Sequence, residues 1–178
     1  MEELKQYIPH TEEEIIFKSN MLKLLELKGD KAFSRNNIEA HFTASAWIIN
    51  PTTQEVLLIH HKKLNKWLQP GGHADGEKDL EKVARKEAIE ETNLKNLRLI
   101  SNEIFDIDIH LIPANKGIPD HYHFDIRFVY FCSSKENTQI NHESNAFRWI
   151  DINKVESLTK EPSISRMVKK SKTILNGI

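Results

Sequence analysis

Residues 71–94 read GGHADGEKDLEKVARKEAIEETNL, and the second half of this stretch has the period of a helix. Projected at about 100° per residue, Leu80, Val83, Ala84 and Ala88 share one apolar arc; Glu87 and Glu91 fall inside it and Glu90 lies at its edge. Carboxylates three and four positions apart repel one another, at roughly 0.2–0.5 kcal/mol per exposed pair. They also stand in the last turns, where the helix dipole disfavours anions. A carboxylate buried alone takes up a proton. A divalent cation removes all of these penalties at once. A tight cluster of hard oxygen ligands suits magnesium or manganese, which keep waters and recruit substrate phosphates. The competing reading is a solvated acidic face.

The lead-in, WLQPGGHADG at residues 67–76, separates the two readings. Adjacent Gly71 and Gly72 permit positive φ and close approach of backbone to a ligand. They sit just upstream of a helix N-terminus, where carbonyls offer a metal ligand and amides face phosphate. A glycine pair followed fifteen residues later by a glutamate cluster is far more specific than either feature alone.

With these residues the sequence resembles the Nudix hydrolase family, whose motif is G-x5-E-x7-R-E-U-x-E-E-x-G-U, U being bulky and apolar. Gly72, Glu87, Glu90, Glu91 and Leu94 match without gaps, and Ala88 is a small version of the first U. WLQPGG upstream and FRWI downstream (residues 147–150) also resemble the family's pattern, so the likeness spans roughly residues 42 to 158. Three positions depart: Lys78 replaces the first motif glutamate, Lys86 the arginine and Asn93 the second glycine. Asparagine tolerates the left-handed conformation that a helix end needs. Lys86 keeps arginine's charge but loses its planar fork. Lys78 inverts a charge, and Glu77 or Asp75 is the candidate to take over the helix-orienting role after a one-residue shift.

The resemblance implies an α/β fold, a Nudix-type α/β/α sandwich with a mixed central sheet. It implies hydrolysis of a pyrophosphate bond in a nucleoside diphosphate linked to another moiety, with Mg2+ or Mn2+ as cofactor. Glu87, Glu90 and Glu91, with the Gly71 carbonyl, would hold the metal. Glu87 or Glu90 would take the proton of the attacking water, or a downstream carboxylate would, for which Glu143 is the candidate. The rival from another class is a Nudix-fold ligand-binding or regulatory module that has lost catalysis, supported by Lys78 and Lys86 and opposed by the intact glutamates. An isopentenyl diphosphate isomerase reading is weakened by Cys132, which lies in an apolar run.

Elsewhere, HYHFDIRF at residues 121–128 puts His121, His123, Asp125 and Arg127 on one strand face and Tyr122, Phe124, Ile126 and Phe128 on the other. The polar face is expected to line the substrate cleft; a zinc or iron site is the lesser alternative. His60, His61, Lys62 and Lys63 read as a solvated basic turn, and Arg166, Lys169, Lys170 and Lys172 as the solvent face of a closing helix.

The rest of the chain supplies the frame. Thr11 has the spacing of an N-cap with Glu14, followed by an apolar stripe of Phe17, Met21, Leu24 and Leu25 and by Gly29 as C-cap. Strand signals lie at residues 41–49, 55–61, 97–112, 121–132 and 146–150, a turn at Asn50-Pro51, and a helix after Asp151 as its cap. Residues 1–37 read as a helical extension and 38–178 as the Nudix domain with its C-terminal helix. The 178 residues carry a net charge of −1, 29% charged residues and one cysteine. A nucleic-acid or anionic-membrane partner is therefore not indicated, and no internal disulfide can form. The acidic start without an apolar signal core leads us to expect a cytoplasmic protein acting on a small molecule. A homodimer is among the assemblies that the sequence admits.

Overall fold

In the computed structural model, which describes residues 2–115, 117–135 and 138–177, the chain opens with α1 (Glu2–Gln6) and α2 (Glu12–Lys28). The Thr11 hydroxyl accepts the Glu14 amide, while the fully buried Glu14 side chain accepts the His10 amide rather than reaching back to Thr11. Met21 and Leu24 are buried as the stripe requires, and Gly29 at φ +53° donates to the Leu25 carbonyl. A 3₁₀ turn, Gly29–Phe33, leads into the strands.

These are β1 (Ala40–Asn50), β2 (Glu55–His61), β3 (Lys66–Leu68), β4 (Gly71–His73), β5 (Arg98–Leu99), β6 (Asp106–Ile112), β7 (His121–Phe131) and β8 (Ser144–Asp151). The helices are α3 (Leu80–Thr92), α4 (Val155–Leu158) and α5 (Pro162–Asn176). Strand order is β3-β2-β1-β7-β5, with β8 on β2, β4 on β1 and β6 on β7. The β1/β2, β1/β4, β2/β3, β2/β8, β5/β7 and β6/β7 pairs are antiparallel. Between β1 and β7, by contrast, the Tyr122 amide donates to the Glu39 carbonyl and the Cys132 amide to the Ile49 carbonyl. Chain numbers rise together along both strands, which makes that pair parallel. The sheet is mixed, and with its flanking helices it is the α/β class that the sequence implied.

The chain forms two compact units, and β1, α3 and β7 contribute residues to both. The first holds residues 1–45, 71–84 and 101–128. In it α2 packs on β6, β4 pairs with β1 (Thr43 opposite His73, Ser45 opposite Gly71), and β6 pairs with β7 from Asp106 opposite Arg127 to Ile112 opposite His121. The second holds residues 46–70, 85–100 and 129–178. There β2 pairs with β8 along its whole length, and Trp47, fully buried, donates through Nε1 to the Ser171 hydroxyl of α5 at 2.7 Å.

Four local expectations change. The alternating run at 97–112 is two strands, because the Ser101 hydroxyl accepts the Glu103 amide and turns the chain between them. Asp151 still belongs to β8, opposite Glu55, and accepts the Asn153 amide in a turn; α4 starts beyond it with Lys154 in the cap position. Arg166 is buried, so only part of the basic face of α5 meets solvent. Gly71 and Gly72 form a strand rather than a positive-φ loop. Among the described residues no helix is long and apolar enough to cross a membrane.

Candidate active site

α3 begins at Leu80, where the Asp79 carboxylate accepts the Lys82 amide and Glu77 accepts the amides of Lys78 and Asp79 at 3.0 and 3.1 Å. Leu80, Val83, Ala84 and Ala88 are buried, which is the arc that the periodicity gives. The helix ends through Thr92, whose hydroxyl donates to the Ala88 carbonyl, and Asn93, whose φ of +58° is the left-handed turn where the family motif has glycine.

Turning that arc toward the interior brings the glutamates with it. Glu91 is 4% exposed, the Glu87 side chain 19% and that of Glu90 54%. Burial raises the Glu87 pKa above the usual carboxylate range; the Lys86 charge opposes this, and the nearby charges of Glu90 and Glu143 add to it. A protein cation also stands near the cluster. Lys86 Nζ stands 3.5 Å from Glu87 and 3.6 Å from Glu90. Both distances exceed the ~2.7–2.9 Å of a charge-assisted hydrogen bond, so the ammonium is a loose, exposed neighbour rather than a fixed partner. Glu143 is exposed just before β8, its carbonyl accepting the Lys62 amide at 2.9 Å. Its charge also opposes the burial that lowers the pKa of His61, so the basic turn after β2 shares this acidic field.

Gly71 lies in β4 opposite Ser45, and a Cβ placed on it would come within 2.3 Å of the Ser45 hydroxyl oxygen and 2.8 Å of the Ala44 carbonyl. Strand-to-strand approach is what requires glycine there. The tight turn comes later, at Asp75 (φ +49°) and Gly76 (φ +92°). Lys78 pairs with Asp30 at 2.7 Å, and of the two candidates for its motif role Glu77 pairs with Lys82 at 2.5 Å and Asp75 takes Arg35 through two contacts at 2.5 and 2.6 Å. Glu77 is bonded to the helix start through the Lys78 and Asp79 amides.

On β7 the expected polar face divides in two. Asp125 and Arg127 lie buried. Arg127 is 2% exposed and reaches Asp125 at 2.8 Å and Asp106 and Asp108 at 3.1 Å each; Asp125 also accepts the hydroxyls of Thr43 and Ser45. Burial disfavours the guanidinium charge, but Asp108, Asp125 and Asp106 outweigh it and hold the arginine firmly protonated. His121 and His123 instead meet His41, His73 and His110, none of which the sequence singled out. The signal was the histidine content of HFTAS and DIDIH, but only strand register shows that these rings converge.

A family model described as the NUDIX domain matches residues 39–170. Among solved structures the chain is similar to a C. elegans Ap4A hydrolase binary complex, with TM-score 0.63 and 19% identity over 77% of this chain and 98% of that one. It is also similar to the E. coli dihydroneopterin triphosphate pyrophosphohydrolase, with TM-score 0.59 and 17% identity over 72% of this chain and 92% of that one. The NUDIX domain of Shewanella oneidensis NrtR, complexed with ADP ribose, gives TM-score 0.53 and 16% identity over 75% and 87%. No curated protein sequence matches. These likenesses carry the fold, and the family model, which spans most of the chain and takes in the whole carboxylate-bearing helix, carries the kinship: the chain belongs to the Nudix family.

Proposed function

We propose that this protein is a divalent-metal-dependent hydrolase that cleaves a pyrophosphate bond in a nucleoside diphosphate linked to another moiety. The observation that carries the reading is the glutamate cluster of α3, drawn toward the interior by its own apolar arc, with Lys86 standing off at 3.5 Å from Glu87 and 3.6 Å from Glu90. That donor set fits Mg2+ or Mn2+: hard oxygens, partly desolvated, on one rigid helix. Glu87, Glu90 and Glu91 would hold the ion, and Gly71 enters the proposal on motif spacing alone. When bound, the metal polarises the phosphoryl oxygens and lowers the pKa of the attacking water.

The chain's own residues do the rest. Glu87, whose proton affinity burial already raises, is suited to receive the water's proton, with Glu90 and Glu143 as the other candidates. Glu77 orients the start of α3 and so the register of the carboxylates. His121 and His123 remain candidate substrate contacts, whereas Asp125 and Arg127 serve the interior. The similar structures are named for Ap4A, dihydroneopterin triphosphate and ADP ribose, which supports a reading in which the substrate carries linked phosphates. Hydrolysis of a panel of such compounds, followed by phosphate release with added phosphatase, tests the proposal; no turnover of any member with Mg2+ or Mn2+ present refutes it.

One observation favours a second reading. Lys86 sits where it can neutralise Glu87 and Glu90 without metal, as a binding module with retired catalysis would require. Such a module binds the same compounds, releases no phosphate, and gains no turnover when Lys86→Arg restores the motif.

A further inference from the structure

Five histidines gather in the first unit. His41 comes from β1, His73 from β4, His110 from β6, and His121 and His123 from β7. Register places them together: His110 lies opposite His123, and Thr43, two residues from His41, lies opposite His73. Ring centroids stand 5.0 Å apart for His41 and His123, 5.2 Å for His41 and His121, 5.2 Å for His121 and His123, and 4.9 Å for His73 and His123.

The hydrogen bonds around the rings set their tautomers. His41 Nδ1 lies 3.1 Å from the Asn37 carbonyl, His121 Nδ1 2.9 Å from the Pro119 carbonyl, and His110 Nδ1 3.1 Å from the Asp108 carboxylate. A carbonyl only accepts, so Nδ1 carries the hydrogen in His41 and His121, and the neutral ring presents Nε2 as a bare lone pair. Oxygen acceptors behind Nδ1 are the usual support of a metal-binding imidazole. His41 is 3% exposed, and both its Nε2 and that of His123 are buried with no hydrogen-bonding partner among the described residues. A buried ring nitrogen left without a partner is costly, and native structures rarely keep two close together. One ring nitrogen from each of His41, His121 and His123 lies within 4.8 Å of those of the other two.

We infer that His41, His121 and His123 form a binding site for a zinc-class divalent cation, with His73 and His110 flanking it. Three neutral imidazoles with a fourth position left for water or another histidine suit Zn2+. Zn–N bonds of about 2.0–2.1 Å put tetrahedral ligands about 3.3 Å apart, so the nitrogens close in by rotation of the partly exposed His121 and His123 rings. This site uses imidazoles where the glutamates of α3 offer hard oxygens, so Zn2+ uptake here is tested apart from the hydrolase reading, in which His121 and His123 are candidate substrate contacts.

The test is Zn2+ binding to chelator-stripped full-length protein by calorimetry, with millimolar Mg2+ present to occupy the carboxylates, alongside the visible spectrum of the Co2+ form. The expected result is one Zn2+ per chain, nitrogen-type Co2+ bands, and affinity at least about tenfold weaker in His121→Gln and weaker still in His121→Gln/His123→Gln. Glu87→Gln/Glu91→Gln should bind Zn2+ as wild type does. Should the double histidine variant not fold, His121→Gln and the Co2+ spectrum decide. No Zn2+ uptake under Mg2+, uptake indifferent to His121→Gln, or uptake lost with the two glutamates overturns the assignment.

Discussion

Replacing Arg127 by methionine separates an interior role from a ligand-binding one. The guanidinium is 2% exposed and touches three carboxylates, two of them on β6. Methionine fills much of the volume but leaves Asp106, Asp108 and Asp125 facing one another without that cation. Breaking a buried pair by removing one partner costs about 3–5 kcal/mol, because the remaining charge keeps its desolvation penalty. With three carboxylates on one guanidinium we expect the upper half of that range. For a chain of this size, each kcal/mol moves the melting temperature by about 2–4 °C, so Arg127→Met should melt roughly 8–20 °C lower. Arg127→Lys keeps the charge but not the fork and should fall between. Thermal and urea unfolding of the protein without substrate measure both, with KM measured at a temperature where the variant is folded. A loss below about 1 kcal/mol accompanied by a raised KM would refute the argument and return Arg127 to the substrate.

Burial raises the Glu87 pKa, so the folded state binds that proton more tightly than the unfolded chain and loses stability as pH rises above the ordinary carboxylate range. Glu87→Gln should therefore melt at or slightly above wild type near pH 7 without metal, and gain less from saturating Mg2+; melting equal to wild type under both conditions with full turnover makes the carboxylates surface decoration. At the helix start, Glu77→Gln should lower activity, while Lys78→Glu, which breaks an exposed pair with Asp30 worth ~0–1 kcal/mol, should change it little; kcat of both variants on one substrate checks this. The histidines give the opposite pH sign. His73 and His123 are depressed, so the unfolded chain takes up their protons first as pH falls below about 6.5. Stability without added metal should then drop at roughly 1.4 kcal/mol per pH unit for each proton, down toward pH 4 for His73; a flat urea midpoint between pH 7 and 5 would contradict it.

What the sequence made legible was whatever lies within one element. The arc of Leu80, Val83, Ala84 and Ala88 fixes which way α3 faces, and the glutamates follow from it. Asn93 and Gly29 end their helices in the left-handed region because both residue types tolerate it. Contacts between elements were not legible. Alternation along β7 says that His121, His123, Asp125 and Arg127 share a face, but not that Asp106 and Asp108 stand opposite and close that face around Arg127. A period of two marks faces and leaves unsaid which is wet. The same limit hid His41, His73 and His110, which come from strands far apart in sequence. Gly71 shows a subtler case: glycine was required, yet for the approach of β4 to Ser45 rather than for an unusual φ.

We propose that the glutamates of α3 hold the metal on which hydrolysis by this chain depends. Turnover of the best substrate from the linked-phosphate panel, measured for wild type and Glu91→Gln across a Mg2+ titration beginning in EDTA, tests it most directly. The expected result is no activity in EDTA, saturable activation by Mg2+ or Mn2+ in wild type, and a loss of at least ~100-fold in Glu91→Gln, the scale of removing one electrostatic group from an active site. Near-wild-type rates in EDTA, or Glu91→Gln that turns over as wild type does, would contradict it.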